Sequence, residues 1–284
     1  MPKLNFINMY YLGPNGSNSH NAMLSILKNS EIFVENHIPQ KSIKMVFESM
    51  KNDENSICVL PIENSIEGIV RETIDNLAHN NSEVKIQGEI TLPIKHLLLS
   101  TGNDKTKIKV IMSHPQALSQ CSSYLYKEFP NAELKETAST SFACEKIQKL
   151  HDETIAAIAN ETCASLFGLN VLSKDINDEK DNKTRFYLLS SKNFEKQNDD
   201  VKTAMIVSTK NEPGALCNVL KVIENNKINL SYIDSRPSKR ELGEYIFFME
   251  LEKSETSEEV QSALKELPEF VNYVKILGSY KKYN

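Results

Sequence analysis

No stretch of the 284 residues approaches the ~20 consecutive apolar residues that a bilayer-spanning helix needs, so a membrane helix is not expected. The opening MPKLNFINMYYLGPNG lacks a long apolar core followed by a small-residue cleavage site. No signal peptide is read there, and a cytoplasmic location and no membrane partner are expected. Positive charge is not in excess: 33 Lys and Arg stand against 38 Asp and Glu, a net charge of −5. That balance argues against a nucleic-acid partner, while leaving room for a local pocket that takes a small anion. The five cysteines, Cys58, Cys121, Cys144, Cys163 and Cys217, contain no Cys-x-x-Cys pair and read as reduced, mostly core thiols. The six histidines form no His-x-His or His-Glu-x-x-His pattern, so no metal is expected. There is also no Gly-x-Gly-x-x-Gly and no Gly-Lys-Ser/Thr loop, and no cofactor is expected. What remains is ordinary globular usage, 40% hydrophobic and 25% charged. At roughly 150 residues per domain, the length fits two domains.

The clearest break is SKNFEKQNDDVK at 191–202, a polar and charged stretch between apolar patterns. It reads as a linker between a domain at 1–190 and one at 203–284. In the larger part, β-rich runs (5–12, 56–62, 83–100 interrupted at Pro93, 108–113, 133–137, 154–159, 184–189) alternate with helical patterns. The helices are expected at 19–28, 42–50, 69–79, 115–129, 139–150 and 161–167. This alternation implies an α/β fold with a mainly parallel sheet. Residues 1–80 and 107–160 can each form a compact lobe, and a run near 171–190 must return to one of them. The smaller part reads strand 203–209, helix 214–225, strands 228–236 and 244–251, helix 257–266 and strand 270–280. That is the βαββαβ order of a ferredoxin-like unit.

Chemistry-bearing residues gather at strand-to-helix junctions. Gly13-Pro14-Asn15-Gly16-Ser17-Asn18-Ser19-His20 combines small residues, which admit close backbone approach, with a helix start, whose free N–H groups suit an anion. It reads equally as a plain turn with Ser19 as N-cap. Pro61-Ile62-Glu63-Asn64-Ser65-Ile66-Glu67-Gly68 brings two carboxylates, an amide and a hydroxyl to a strand end, where open α/β sheets bind ligands. Capping and solvated charge explain it too. His114-Pro115 and Thr137-Ala138-Ser139-Thr140-Ser141 stand at two more junctions, with His114 open to a purely structural reading. If the four converge, they form a neutral cage of donors around an anion. Asp181-Asn182-Lys183-Thr184-Arg185-Phe186 enters a strand. Its Arg185 offers a carboxylate-binding fork or, alternatively, a salt bridge to Glu63 or Glu67.

Together YLGPNGS, LPIENSIEGIV, HPQALSQC, STSFA, AAIANETCASLFGLNVL and NKTRFYLL resemble the prephenate dehydratases, in that family's order across residues 10–190. Asn211-Glu212-Pro213-Gly214-Ala215-Leu216 and Asp234-Ser235-Arg236-Pro237 resemble the two ligand motifs of the family's phenylalanine-sensing ACT domain. The resemblance departs at Asn18, where the family usually has an aromatic residue, and at Asp234, where it usually has Glu. No N-terminal chorismate mutase is read. The resemblance implies a bilobal catalytic domain similar to type II periplasmic binding proteins, followed by the ACT domain. It implies conversion of prephenate to phenylpyruvate, CO2 and water, phenylalanine as allosteric effector, and a homodimer or homotetramer. It places Thr184 by the leaving hydroxyl. On physical grounds Arg185 is set at a substrate carboxylate, and Ser17, Asn64, Ser65, Glu67, Ser139, Thr140, Asn182 and Phe186 around the substrate. Pro213–Leu216 and Asp234–Pro237 are left for the effector. Arogenate is the alternative substrate. A non-catalytic sensor of an amino acid on the same fold is the alternative function.

Overall fold

A computed structural model describes residues 4–79, 83–192, 194, 202–239 and 244–283. The first lobe opens with β1 (Leu4–Leu12), α1 (Asn18–Lys28), β2 (Ile32–Gln40), α2 (Ile43–Lys51), β3 (Ser56–Asn64), β4 (Gly68–Ile69), α3 (Arg71–His79) and β5 (Lys85–Pro93). The second holds β6 (Leu97–Ser100), β7 (Val110–Ser113), α4 (Pro115–Ser119), α5 (Ser122–Glu128), β8 (Glu133–Glu136), α6 (Thr140–Leu150), β9 (Ile155–Ala159), α7 (Glu161–Phe167) and β10 (Asn170–Ser173). The chain then returns to the first lobe as β11 (Lys183–Ser190), so the lobes are joined by two crossovers, at 93–97 and 173–183. The C-terminal unit follows as β12 (Lys202–Thr209), α8 (Ala215–Asn225), β13 (Leu230–Pro237), β14 (Tyr245–Leu251), α9 (Glu258–Glu266) and β15 (Val271–Tyr283). Most of the stretch expected to be a linker, 193 and 195–201, lies outside the described residues.

The expected mainly parallel sheet is corrected to mixed sheets. β1 pairs in parallel with β2 and β3, but β11 runs antiparallel between β3 and β5. In the second lobe, β7 is parallel to β8 and β9, while β6 is antiparallel to β9 and β10. The antiparallel members are the strands that lead into and out of the crossovers. Three strands were not anticipated, among them the two-residue β4, which lies where the helix expected at 69–79 would begin. β2 is an edge strand whose core-facing alternation stops after Val34, and β10 is four residues long and largely exposed. The helix expected at 115–129 is broken, because the Gln120 carbonyl accepts from the Asp178 N–H (2.8 Å) rather than from a following turn. The Asp178 carboxylate then accepts from the Ser123 N–H (3.2 Å) at the start of α5.

β15 outruns its own unit and pairs in parallel with β5 through Lys281–Gly88, Lys282–Glu89 and Tyr283–Ile90. The C-terminal sheet and the first lobe's sheet thereby form one ten-stranded sheet. Two glycines permit it. A Cβ on Gly88 would fall 2.3 Å from the Tyr283 ring, and one on Gly278, whose φ is +129°, would fall 2.5 Å from the Ile86 carbonyl oxygen. Apolar side chains of both units share one buried cluster, with Leu60, Tyr187 and Leu189 packed beside Ile206, Phe248 and Leu277.

Candidate active site

A cleft of about 510 Å³ lies between the lobes. The first lobe contributes Ser17, Asn18 and Ser19 at the start of α1, Asn64 and Glu67 after β3, and Thr184 and Phe186 from β11. The second contributes His114, Gln116 and Gln120 from the α4 region and Ser139 and Thr140 at the start of α6. Ile94, His96 and Asn182 enter from the crossovers. All four strand-to-helix junctions therefore converge.

Each junction folds as its residues dictate. Ser17, rather than the expected Ser19, caps α1: its Oγ accepts from the His20 N–H (3.2 Å) and donates to the Leu12 carbonyl (2.7 Å). Ser139 caps α6 by accepting from the Phe142 N–H (3.0 Å). His114 caps α4 through Nδ1, ahead of Pro115 at the first helical position. Two longer helices, α1 and α6, thus open onto the cleft from opposite lobes, with first-turn N–H groups suited to an anion. The described lining residues include no lysine or arginine, and Glu67 is their one carboxylate. Negative charge entering here meets neutral donors and helix dipoles.

The hydroxyl of Thr184 is held from behind. Asn64 Oδ1 accepts from the N–H groups of Ile66 and Glu67 (3.0 Å each), which turns its amide nitrogen toward β11. That nitrogen donates to Thr184 Oγ1 and to Asn182 Oδ1 (2.8 Å each). With a lone pair so occupied, the Thr184 proton is left to point at a ligand. His96 is buried, and desolvation lowers its pKa despite a hydrogen bond with Gln120 that works the other way.

The lobes also touch across the cleft. Asn160 Nδ2 donates to the Gly16 carbonyl (2.8 Å), Cys163 Sγ donates to the same oxygen (3.3 Å), and Ser141 Oγ donates to the Asn15 carbonyl. Gly16 has φ +85°, and a Cβ there would lie 2.7 Å from Cys163 Sγ, so a side chain would wedge the lobes apart.

Of the expected substrate-site residues, Ser17, Asn64, Glu67, Ser139, Thr140, Asn182, Thr184 and Phe186 line the cleft. Ser65 does not. It fastens β3 to β11, its Oγ accepting from the Lys183 N–H and its own N–H donating to the Lys183 carbonyl (2.9 Å each). Arg185 is a correction: successive strand residues point to opposite faces, so beside a cleft-facing Thr184 it must face away. Its guanidinium meets Glu63 (3.1 Å), Glu89 (3.1 Å) and Glu250 of the C-terminal unit (2.6 Å) instead of a substrate carboxylate. Cleft residues given no role from the sequence include His96 and, inside the HPQALSQC junction, Gln116 and Gln120. His114 stands both at a helix start, as its structural reading requires, and on the cleft wall.

The second group of expected residues divides. Gly214, Ala215 and Leu216 line a separate hollow of about 240 Å³ with Tyr245 and Phe247; Pro213 precedes them without lining it. Asp234, Ser235, Arg236 and Pro237 lie on β13, which β14 separates from β12, and they do not reach that hollow. Arg236 instead contacts Asp234 (2.6 Å) and Asp75 on α3 (3.8 Å).

Among known proteins, residues 9–194 match the family model "Prephenate dehydratase" and residues 203–269 the model "ACT domain". A prephenate dehydratase of Methanocaldococcus jannaschii is 40% identical over 245 residues, covering 86% of this chain and 87% of its own. A bifunctional chorismate mutase/prephenate dehydratase of Aquifex aeolicus is 39% identical over 276 residues, 97% of this chain and 74% of the relative. The crystal structure of a prephenate dehydratase from Arthrobacter aurescens, in complex with L-Phe, matches with a TM-score of 0.84 at 31% identity, covering 97% of this chain and 90% of that one. With its motifs gathered on one cleft and its match running through nearly the whole first part of the chain, this protein belongs to the prephenate dehydratase family and carries a C-terminal ACT domain.

Proposed function

We propose that the cleft carries out the decarboxylating dehydration of prephenate with Thr184 at the leaving hydroxyl, and that phenylalanine bound to the ACT domain restrains it. The reading rests chiefly on one observation: a threonine hydroxyl pinned from behind by Asn64, facing a neutral cleft onto which two helix N-termini open. In the reaction the bond to the ring carboxylate breaks and its electron pair enters the ring. The ring's C–O bond breaks as the ring becomes aromatic, and the departing hydroxide takes one proton to leave as water. The Thr184 O–H donates a hydrogen bond to that departing oxygen, and Asn64 fixes its direction. The N-termini of α1 and α6, with Ser139 and Thr140, hold the dianion without metal-like point charges, while Ser17 keeps the start of α1 in place. Phe186, almost fully buried, backs the apolar floor of the cleft beneath the ring.

Glu67, a carboxylate in a cleft without cations, favours a second reading, in which the substrate is arogenate and its ammonium group lies near Glu67. Assaying purified protein on prephenate and on arogenate decides between them. Turnover of neither leaves only the amino-acid-sensing reading.

In the regulatory half, residues 1–190 form the catalytic unit, 191–202 the linker and 203–284 the effector unit. The two effector motifs lie apart within one chain, and Asp234–Pro237 sit on β13 at the free end of the sheet. A second copy placed along that edge would complete the pocket, which supports a homodimer or a tetramer of two such pairs. Five unpaired cysteines fit a reducing compartment such as the cytoplasm. Calorimetry with phenylalanine should show one site per subunit, and light scattering an even-numbered assembly.

A further inference from the structure

The amide groups around Thr184 form a chain whose polarity is fixed at one end by the backbone. The N–H groups of Ile66 and Glu67 can only donate, so the Asn64 atom that meets them is its oxygen. Its nitrogen therefore faces Asn182, and the Asn182 atom at 2.8 Å is the oxygen. The Asn182 nitrogen then faces Gln120 at 3.4 Å, so the Gln120 atom there is Oε1. That same Oε1 lies 3.0 Å from His96 Nε2, and an amide oxygen only accepts. The proton of the neutral imidazole must be on Nε2.

We propose that His96 is a positioning residue for the dehydration: its Nε2–H locks the Gln120 amide, so that the Gln120 N–H₂ group is offered to an oxygen of the bound anion. Several observations converge on this. His96 is 6% exposed, at the crossover between the lobes, and both residues line the cleft. The Gln120 oxygen has two donors, while its nitrogen is buried and has no partner among the described residues. A buried donor without a partner is costly and calls for a ligand acceptor. The helix break between α4 and α5 falls at Gln120 itself, where Asp178 takes its carbonyl. Burial also disfavours the imidazolium, which would still donate from Nε2 but add a charge to the site.

The proposal rests on the dehydratase reading, and wild-type turnover of prephenate is its separate control: failure there removes that reading, whatever the variants do. His96→Leu removes the donor, and His96→Gln keeps an N–H at nearly the same reach. In the full-length protein, with folding checked by thermal melts, His96→Leu should lose about tenfold or more in kcat/KM, the scale of one hydrogen bond to a buried polar group. His96→Gln should recover most of it. Gln120→Glu still accepts from His96 but replaces the donor by a negative charge, so KM should rise at least as much, with kcat less affected. If His96→Leu fails to fold, NMR of ¹⁵N-histidine-labelled wild type still decides, because the chain requires the Nε2–H tautomer. Observation of the Nδ1–H form at neutral pH overturns the proposal. So do a folded His96→Leu with wild-type kinetics, a His96→Gln no better than His96→Leu, or an unchanged KM in Gln120→Glu.

Discussion

The two faces of β11 solve opposite electrostatic problems. On one, Thr184 and Phe186 meet a cleft furnished with amides, hydroxyls and helix starts, and with no cation among its described lining residues. On the other, Arg185 and Tyr187 enter a buried cluster in which Arg185 and Lys202 face Glu89 and Glu250, with Glu63 at the rim. Glu250 is 1% exposed and also accepts from the hydroxyls of Tyr187 and Tyr280. The neutral face must release its product, so graded dipoles serve better than a permanent counter-charge. The charged face is buried, and full ions repay their desolvation there because each has several partners. Adjacent residues of one motif thus divide between the cleft and the joint to the ACT domain.

Replacing Thr184 puts the sharpest break between the faces. Thr184→Ala should lower prephenate turnover by about 10²–10⁴-fold, the range of general acid assistance, while the melting temperature stays near wild type. Thr184→Ser should retain more activity. Alanine turnover within a few-fold of wild type would remove the hydroxyl from the mechanism.

On the charged face stability should suffer first. Glu250→Gln leaves Arg185 and Lys202 short of a buried counter-charge, a loss of about 3–5 kcal/mol and a fall in melting temperature on the order of 10 °C. The same residue sets a pH dependence. Burial alone would raise the Glu250 pKa, but Arg185, Lys202 and its hydrogen bonds together hold it below its usual 4.5. A depressed folded-state pKa gives stability that is fully present above 4.5 and is lost as pH falls through the folded value. Melting temperature plotted against pH should therefore drop more steeply below 4.5 in wild type than in Glu250→Gln; parallel curves would count against the assignment.

Arg185→Lys keeps a charge but loses the fork that spans several carboxylates. Its expected cost is about 1–3 kcal/mol of stability with kcat and KM within a few-fold of wild type. A rise in KM at unchanged melting temperature would return Arg185 to the substrate.

Gly214→Val should have the smallest effect on basal activity at a modest structural cost. A Cβ at this position would meet nothing within 4 Å, so the side chain enters open space, but φ is +84° and costs a branched residue about 1–2 kcal/mol. Basal turnover should be largely kept and the phenylalanine response lost. Unaltered phenylalanine inhibition would move the effector elsewhere.

How much is legible in the sequence follows the range of the interactions. Local signals worked: hydroxyl and amide residues at strand-to-helix junctions did converge, because strands of an open sheet deliver their carboxyl ends to one rim. The face of Arg185 was also legible, since period-two alternation forbids it to share a side with Thr184, yet its fixed charge and planar fork suggested a substrate carboxylate. β2 escaped because Glu35, Asn36 and His37 lie exposed on an edge strand and break the apolar alternation. His96 stood outside every motif, and Gln120 stood inside HPQALSQC with no role of its own to read there. They are single polar residues 24 positions apart whose meaning comes from meeting each other and Asn182.

By itself the sequence determined the family, the α/β class, the βαββαβ order of the last unit and the capped junctions, since each depends on residue types within a few positions of one another. Tertiary structure alone decided that β11 runs antiparallel between β3 and β5 and that β15 carries the ACT sheet onto the first lobe. It alone brought Glu250 to Arg185 and set the direction of the amide chain behind Thr184. These depend on pairings between residues 24 to more than a hundred positions apart. Local propensity carries no information about such pairings, because they form only when the buried surfaces of separate elements close together.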